Sequence, residues 1–345
     1  MDKILITGAN GFLGSHLIDL CVKKEVLIYG IDLPNSSYKN LVQYTNGKEY
    51  FNKKHKYFGK KILLNSSLDN LKFLECNILD NSLIEKIIND ISPNYIFHFG
   101  GQPNVLQSWK DPKGTIETNV IGTINIFESV KKSGIKSRVI FAGSATEFGS
   151  TTDLNRPLNE SDPLLPLHPY GISKLASELL SRQYYINFGI DAINLRFFNL
   201  TGLRRTGDAA SDFTRKIAQI ELNLADPIIQ VGNLESYRDI VNVLDAVQAI
   251  WLAATKGVPG ETYQVCSGEK VQIRELLNIA LSFSTKQIEI VENTPDKLRL
   301  SDEDVIVGDN SKIKSELGWS PHFTIYETLK SMFQYWIDFY KNTKK

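Results

Sequence analysis

Ile4-Leu5-Ile6-Thr7-Gly8-Ala9-Asn10-Gly11-Phe12-Leu13-Gly14 reads as an apolar strand, a turn with glycines three apart and the start of a helix. Glycine lets the backbone turn tightly and approach a pyrophosphate, whose charge is then met by helix N-terminal amides. A glycine triplet alone is an ordinary turn. Here a strand precedes it, a helix follows, and a second strand, 26–32, ends about twenty residues on in Asp32, the context that makes it a dinucleotide site. Gly8, Gly11, Phe12, Leu13 and Gly14 are therefore candidate cofactor contacts. A carboxylate at Asp32 accepts bonds from adenosine ribose hydroxyls and repels a 2′-phosphate, which favours NAD. Lys39, a flexible amine nearby, keeps NADP open.

Outward from this turn, β-rich runs alternate with amphipathic stretches, the form of a parallel sheet with helices on both faces. Strands are expected at 3–7, 26–32, 72–76, 95–99, 138–143 and 192–197. Helices are expected from Gly11 to about Lys24, from Gly114 to Ser133, and from Tyr170 to Phe188, the last bracketed by Pro169 and Gly189. Between Pro34 and Leu71 the rhythm breaks into a stretch with Lys53-Lys54-His55-Lys56 and Lys60-Lys61. It reads as an insertion, either a solvated excursion or a cover over the cofactor's adenosine end. The expected fold is α/β, a doubly wound parallel-sheet (Rossmann) cofactor domain with a smaller α+β substrate domain. Residues 1–197 form the first, with 34–71 inserted and 240–258 returning to it; 198–239 and 259–345 form the second.

The 345 residues can bury a large core. With 39 basic and 39 acidic side chains the formal net charge is zero, so no summed field draws in nucleic acid or anionic membrane. Any anionic ligand must be met by local charge. Cys21, Cys76 and Cys266 are widely spaced and outside any Cys/His cluster, which indicates neither a disulfide framework nor a metal site. Met1-Asp2-Lys3 leads straight into a strand without a basic-then-apolar signal, and no apolar run reaches the ~20 residues that span a bilayer. The expectation is a cytoplasmic protein.

In Pro169-Tyr170-Gly171-Ile172-Ser173-Lys174, a helix puts Tyr170 and Lys174 on one face. An ammonium beside a phenol stabilises phenolate and lowers its pKa towards neutral, giving a group that exchanges a proton with a hydroxyl. Ser144, at the carboxyl end of a central strand, lies where open α/β sheets put their ligands and can hold the reacting oxygen.

Together these residues resemble the extended short-chain dehydrogenase/reductase family, whose signature is the glycine turn with a Ser, a Tyr and a Lys. The resemblance runs through nearly the whole chain. It includes Asn119 in Thr118-Asn119-Val120-Ile121-Gly122-Thr123, which in the family supports the active-site helix, and Asn199 in Arg196-Phe197-Phe198-Asn199, which there touches the nucleotide-sugar diphosphate. Asn77, followed by Ile78, stands where the family usually has an Asp for the adenine amine. Phe213-Thr214-Arg215-Lys216-Ile217, the run from Val231 to Asp239, and Val265-Cys266-Ser267-Gly268 look like the branch of GDP-mannose 4,6-dehydratases and GDP-4-keto-6-deoxymannose reductases. The resemblance implies that Arg215, Lys216 and Arg238 meet a GDP diphosphate, joined by Arg204 and Arg205. Solvated surface pairs are the plainer alternative. It also implies a homodimer, or a dimer-based oligomer, paired through helices 114–133 and 170–188.

Dehydration needs a base for the sugar C5 proton, a role that falls in the family to a Glu two residues after the catalytic Ser/Thr. That position is Thr146 here, with Glu147 one residue later. Alternate strand residues face opposite ways, so Glu147 is expected to point away unless the turn has begun. The leading expectation is reduction at C4 of a GDP-4-keto-6-deoxy-hexose, with Ser144, Thr146, Tyr170 and Lys174 catalytic. A GDP-mannose 4,6-dehydratase comes second, followed by a C4-epimerase with retained NAD and, last, a non-catalytic NAD sensor. His98-Phe99-Gly100-Gly101 stands in place of the commoner His-Leu-Ala-Ala, leaving less side chain beside the cofactor. A longer sugar, such as a heptose, is one use of that room.

Overall fold

The computed structural model describes residues 1–45, 63–65, 68–149, 156–294 and 305–343. The lysine runs 53–56 and 60–61 lie outside them. The chain divides into two compact units. One comprises Met1–Glu147, Leu164–Arg196 and Val247–Tyr263; the other comprises Phe148–Pro163, Phe197–Ala246 and Gln264–Lys345. The expected division is thereby corrected twice. Phe148–Pro163 packs with the second unit, and the returning segment runs from Val247 to Tyr263 rather than over 240–258.

The first unit is built on β1 (Asp2–Thr7), α1 (Phe12–Cys21), β2 (Val26–Asp32), β3 (Leu63–Asn65), β4 (Leu71–Glu75), α2 (Asn81–Ile91), β5 (Tyr95–His98), α3 (Val105–Lys110), α4 (Pro112–Ile116), α5 (Gly122–Ser133), β6 (Arg138–Ser144), α6 (Pro169–Phe188) and β7 (Ala192–Phe197). The sheet order is Thr262–Val265, β7, β6, β5, β1, β2, β4, β3. β1 pairs in parallel with β2 and β5, β2 with β4, and β5 with β6, whereas β3 runs antiparallel to β4. Ile4, Leu5 and Ile6 are fully buried in succession, as a strand covered on both faces requires. α2 begins where the Asp80 carboxylate accepts the Leu83 amide at 3.1 Å. It buries Ile84, Ile87, Ile88 and Ile91, one helical stripe, in a cluster with Ile126, Phe127 and Val130 of α5. Each such side chain contributes about 1.5–3 kcal/mol of burial.

The single helix expected over 114–133 is three pieces, because Glu117–Ile121 forms a π-helical turn between α4 and α5. Asn119 sits in that turn. α6 starts at Pro169, capped by His168 Nδ1, which accepts the Gly171 amide at 3.0 Å, and ends on Gly189 at φ 67°.

In the second unit, helix 209–221 opens with a capping box between Asp208 and Ser211. Its Phe213, Ile217 and Ile220 pack with Leu276, Leu277, Leu329 and Met332. Small strand pairs surround this core, with Ile240–Asn242 parallel to Asn199–Thr201 and Ile228–Gln230 parallel to Glu289–Val291. Buried Asp239 ties the loops together, accepting the amides of Ser267, Gly268 and Gly308 and the Ser267 hydroxyl. Burial pushes its carboxyl up to about 6 despite these donors. The unit is α+β. Among the described residues no helix is long and apolar enough to cross a membrane.

Candidate active site

At the end of β1, Gly8 adopts φ 68°, and a Cβ on it would lie 2.9 Å from the Gly100 nitrogen. Gly14 is tighter still, since its Cβ would lie 2.2 Å from the Gly8 carbonyl oxygen. The turn is closed by the Gly11 amide on the Gly8 carbonyl at 2.9 Å. Gly11 caps α1 without a side chain, and a helix so capped presents the first-turn amides, of Phe12 and Leu13, as an anion seat. The Asp32 carboxylate, at the end of β2, accepts the amides of Asn10 at 2.7 Å and Leu33 at 2.8 Å. Burial nevertheless raises its pKa. Asn10 in turn holds the loop after β2, through Ser36 and Asn40. Lys39 is exposed. Asn77 is exposed and accepts the Leu79 amide, and Ile78 is buried, its carbonyl accepting Asn125 Nδ2. Gly8, Gly11 and Gly14 form a cradle without side chains beside the first-turn amides of α1, which fits the pyrophosphate of a dinucleotide.

Ser144 ends β6, and Ala145–Glu147 turns at once into a 3₁₀ turn. Ser144 Oγ lies 2.9 Å from Thr146 Oγ1 and also accepts the Thr146 amide at 3.3 Å. Thr146 is half-buried, whereas Ala145 and Glu147 are buried. α6 approaches this turn through Gly171, where a Cβ would lie 2.7 Å from the Thr146 carbonyl oxygen. That contact brings the first turn of α6, one residue past Tyr170, against the backbone of Thr146. Lys174 Nζ donates to the Ala142 carbonyl at 2.9 Å and lies 5.9 Å from the Tyr170 ring centre. Lys174 as a residue is half-buried. Burial brings its pKa down to about 8, with Glu147 pulling the other way.

Asn119 joins the two halves of this arrangement. Its Nδ2 donates to Ser173 Oγ on α6 at 2.8 Å and to the Gln102 carbonyl at 3.1 Å, and its Oδ1 accepts the Gln102 amide at 2.7 Å. Gln102 has no motif to mark it, and its role follows only from the fold. His98 is buried between the hydroxyls of Thr7 and Thr123, and burial brings its pKa down to about 3, so it is neutral. Neither glycine has room beside it for a Cβ. A Cβ at Gly100 would lie 3.0 Å from Thr7 Oγ1, and one at Gly101 2.9 Å from Asn119 Oδ1. The idea of a longer sugar thereby loses the observation behind it.

Glu147 is turned away from Thr146, as expected of it. The turn has begun, yet its side chain goes inward, away from Thr146, where Oε1 accepts the Ser144 amide at 2.7 Å and Oε2 lies 3.4 Å from Arg196 Nε. The spacing Ser144-Ala145-Thr146-Glu147 is the Ser-x-x-Glu of a capping box, a signal visible in the residues themselves.

In the second unit, Asn199 is exposed and donates to the Asp239 carbonyl. Arg204 stands at φ 66°, and Arg205 pairs with Asp208 at 3.0 Å. Arg215 pairs with Asp212 at 3.5 Å and lies over the Trp336 ring, with Lys216 half-buried beside it. Arg238 is buried, with Nη1 on the Tyr237 carbonyl.

The GDP-mannose 4,6 dehydratase family model matches residues 5–332. The chain belongs to that family. Similar relatives of this family member include the GDP-6-deoxy-D-mannose reductase of Pseudomonas aeruginosa, 28% identical over 245 residues, covering 71% of this chain and 80% of that protein. Another is the GDP-mannose 4,6-dehydratase of Yersinia enterocolitica, 26% identical, covering 96% of this chain and 93% of that protein. Among solved structures, RMD from Pseudomonas aeruginosa complexed with NADPH superposes with TM-score 0.79 at 23% identity, over 98% of this chain and 99% of that one.

Proposed function

We propose that this chain transfers a hydride at C4 of a GDP-linked sugar, in the direction of reducing a GDP-4-keto-6-deoxy-hexose. The observation that supports this reading is the paired hydroxyls of Ser144 and Thr146, 2.9 Å apart at the end of the strand whose Ala142 carbonyl holds Lys174. A dehydratase needs a carboxylate two residues after Ser144. Here that residue is Thr146, and the neighbouring Glu147 is engaged with the Ser144 amide. Reduction needs only hydrogen-bond donors to the carbonyl oxygen and one acid. The glycine cradle fits NAD(P), and the Asp32 carboxylate favours NAD, with Asn77 and Ile78 towards adenine. When bound, the nicotinamide supplies the hydride. Ser144, with Thr146, polarises the sugar carbonyl; Tyr170 gives its phenolic proton to the oxygen; Lys174 holds the phenol acidic and orients the ribose. In the second unit Asn199, Arg204, Arg205, Arg215, Lys216 and Arg238 are assigned to the nucleotide-sugar diphosphate.

The test is nucleotide oxidation, followed at the nicotinamide absorbance, when purified protein meets GDP-4-keto-6-deoxymannose with NADH or NADPH. No oxidation with either would sink the reading. Dehydratase is the second reading, favoured by the family model, and would appear as a 4-keto product from GDP-mannose and NAD without accumulated NADH. Tyr170→Phe separates catalysis from mere sensing, since it should abolish turnover and spare NAD binding.

Exposed Ile172, Leu179 and Ile186 repeat every seven residues along α6, an apolar stripe joined in kind by exposed Leu106, Trp109 and Ile121. A second copy of this chain is the proposed cover. All three cysteines are buried thiols outside any disulfide, which suits the reducing cytoplasm.

A further inference from the structure

Glu147 is wholly buried, and the chemistry above leaves it idle. Stability does not account for a carboxyl there. Enclosed beside Glu178, it costs free energy that an apolar side chain of similar size avoids. Arg196 does not need it either, because Nε and Nη2 already hold the two oxygens of Glu178, at 3.0 and 2.5 Å. What Glu147 does hold is Ser144. Its Oε1 accepts the Ser144 amide while Ser144 Oγ accepts the Thr146 amide, a reciprocal lock on a single turn. Gly143 makes room for it, since a Cβ there would lie 3.0 Å from Glu147 Oε1.

We propose that Glu147 is a positioning residue, which through the Ser144 amide aims the Ser144 and Thr146 hydroxyls at the reacting oxygen. The inference rests on the assignment of Ser144 to that oxygen. Among the described residues the charged groups that face Glu147 are Glu178 and Lys174 from α6 and Arg196 from β7. Burial, then Glu178, raise its pKa well above the usual carboxyl range, against the pull of Arg196 and the Ser144 amide. The contact that matters is the oxygen that accepts the Ser144 amide, and the side-chain carbonyl of glutamine reproduces it.

Glu147→Gln keeps the acceptor and should turn over within about threefold of the parent; Glu147→Leu removes it and should lose about tenfold or more in kcat. The Leu variant should bind NADH within about twofold of the parent and melt no lower, since Arg196 keeps Glu178. Gln as slow as Leu, Leu as fast as the parent, or a Leu variant whose melting falls with its rate overturns the proposal. Hydrogen exchange of the Ser144 amide, read by NMR, decides without substrate. Protection should persist with Gln and drop by about tenfold or more with Leu, and unchanged protection in the Leu variant refutes the lock. Tyr170→Phe run alongside keeps the two readings apart, because full activity there would remove the assigned chemistry and leave the exchange result standing.

Discussion

Lys174→Met should leave the protein inactive and more stable. The ammonium sits on the Ala142 carbonyl, and burial brings its pKa from 10.5 down to about 8, opposed by Glu147. Holding that charge inside at neutral pH costs about 3 kcal/mol. Lys174 is only half-buried, so solvent screens part of this, and Met forfeits the bond to Ala142; the expected net gain is about 1–2 kcal/mol at pH 7. Between pH 8 and 10.5 the unfolded chain binds a proton that the folded chain has lost, so stability of the parent rises with pH across that window. The advantage of Met is therefore full below pH 8 and fades above it. Urea unfolding of the cofactor-free proteins, followed by tryptophan fluorescence at pH 7 and pH 9.5, measures the gap at both ends. Turnover should fall by about 10²–10⁴. A Met variant less stable than its parent at pH 7, or a gap equal at both pH values, would refute buried charge as the origin.

Three further outcomes are expected. Asp32→Ser removes the carboxylate that faces the ribose and should move the NADPH-to-NADH affinity ratio by about tenfold or more towards NADPH, and an unmoved ratio in a binding titration counts against Asp32 as the discriminator. Gly14→Ala drives a Cβ to 2.2 Å from the Gly8 carbonyl oxygen, backbone against backbone, and should weaken NADH binding by about tenfold with about 1–3 kcal/mol of lost stability. Parent-like binding by calorimetry would contradict the tightness of that contact. Leu179→Glu places a charge in the apolar stripe of α6 and should give a monomer in sedimentation; an unchanged mass would take α6 out of the interface.

Strands Val26–Asp32 and Ala192–Phe197 fall where the apolar runs put them, because a strand buried on both faces announces itself by composition alone. Asn119 was legible as a motif but not as a break in its helix. The π turn goes with bonds to Gln102 and Ser173, residues distant in the chain, and no local pattern encodes those. Glu147 points away from Thr146 as expected, but alternation is not what holds it there. β6 stops at Ser144, and the side chain is held inward by the Ser144 amide, a local bond that a period-two argument does not contain. The polar segment Phe148–Pro163 has no periodicity to say which core it joins.

The first unit is completed by Val247–Tyr263, which supplies the sheet edge strand beside β7 after two stretches of the other unit have intervened. On the ribosome, at about 5–20 residues per second, the glycine turn emerges first and then waits roughly 10–50 s for that last strand. β7 is made late in that wait and then presents an open edge, Ala192, Ile193 and Leu195 among its residues, for about 3–13 s. Neither unit can be cut from the gene as one contiguous piece. Expression of the first 197 residues alone would yield a sheet with that edge bare, so a chaperone, or synthesis at low temperature, should matter more to this protein's yield than the strength of its finished core.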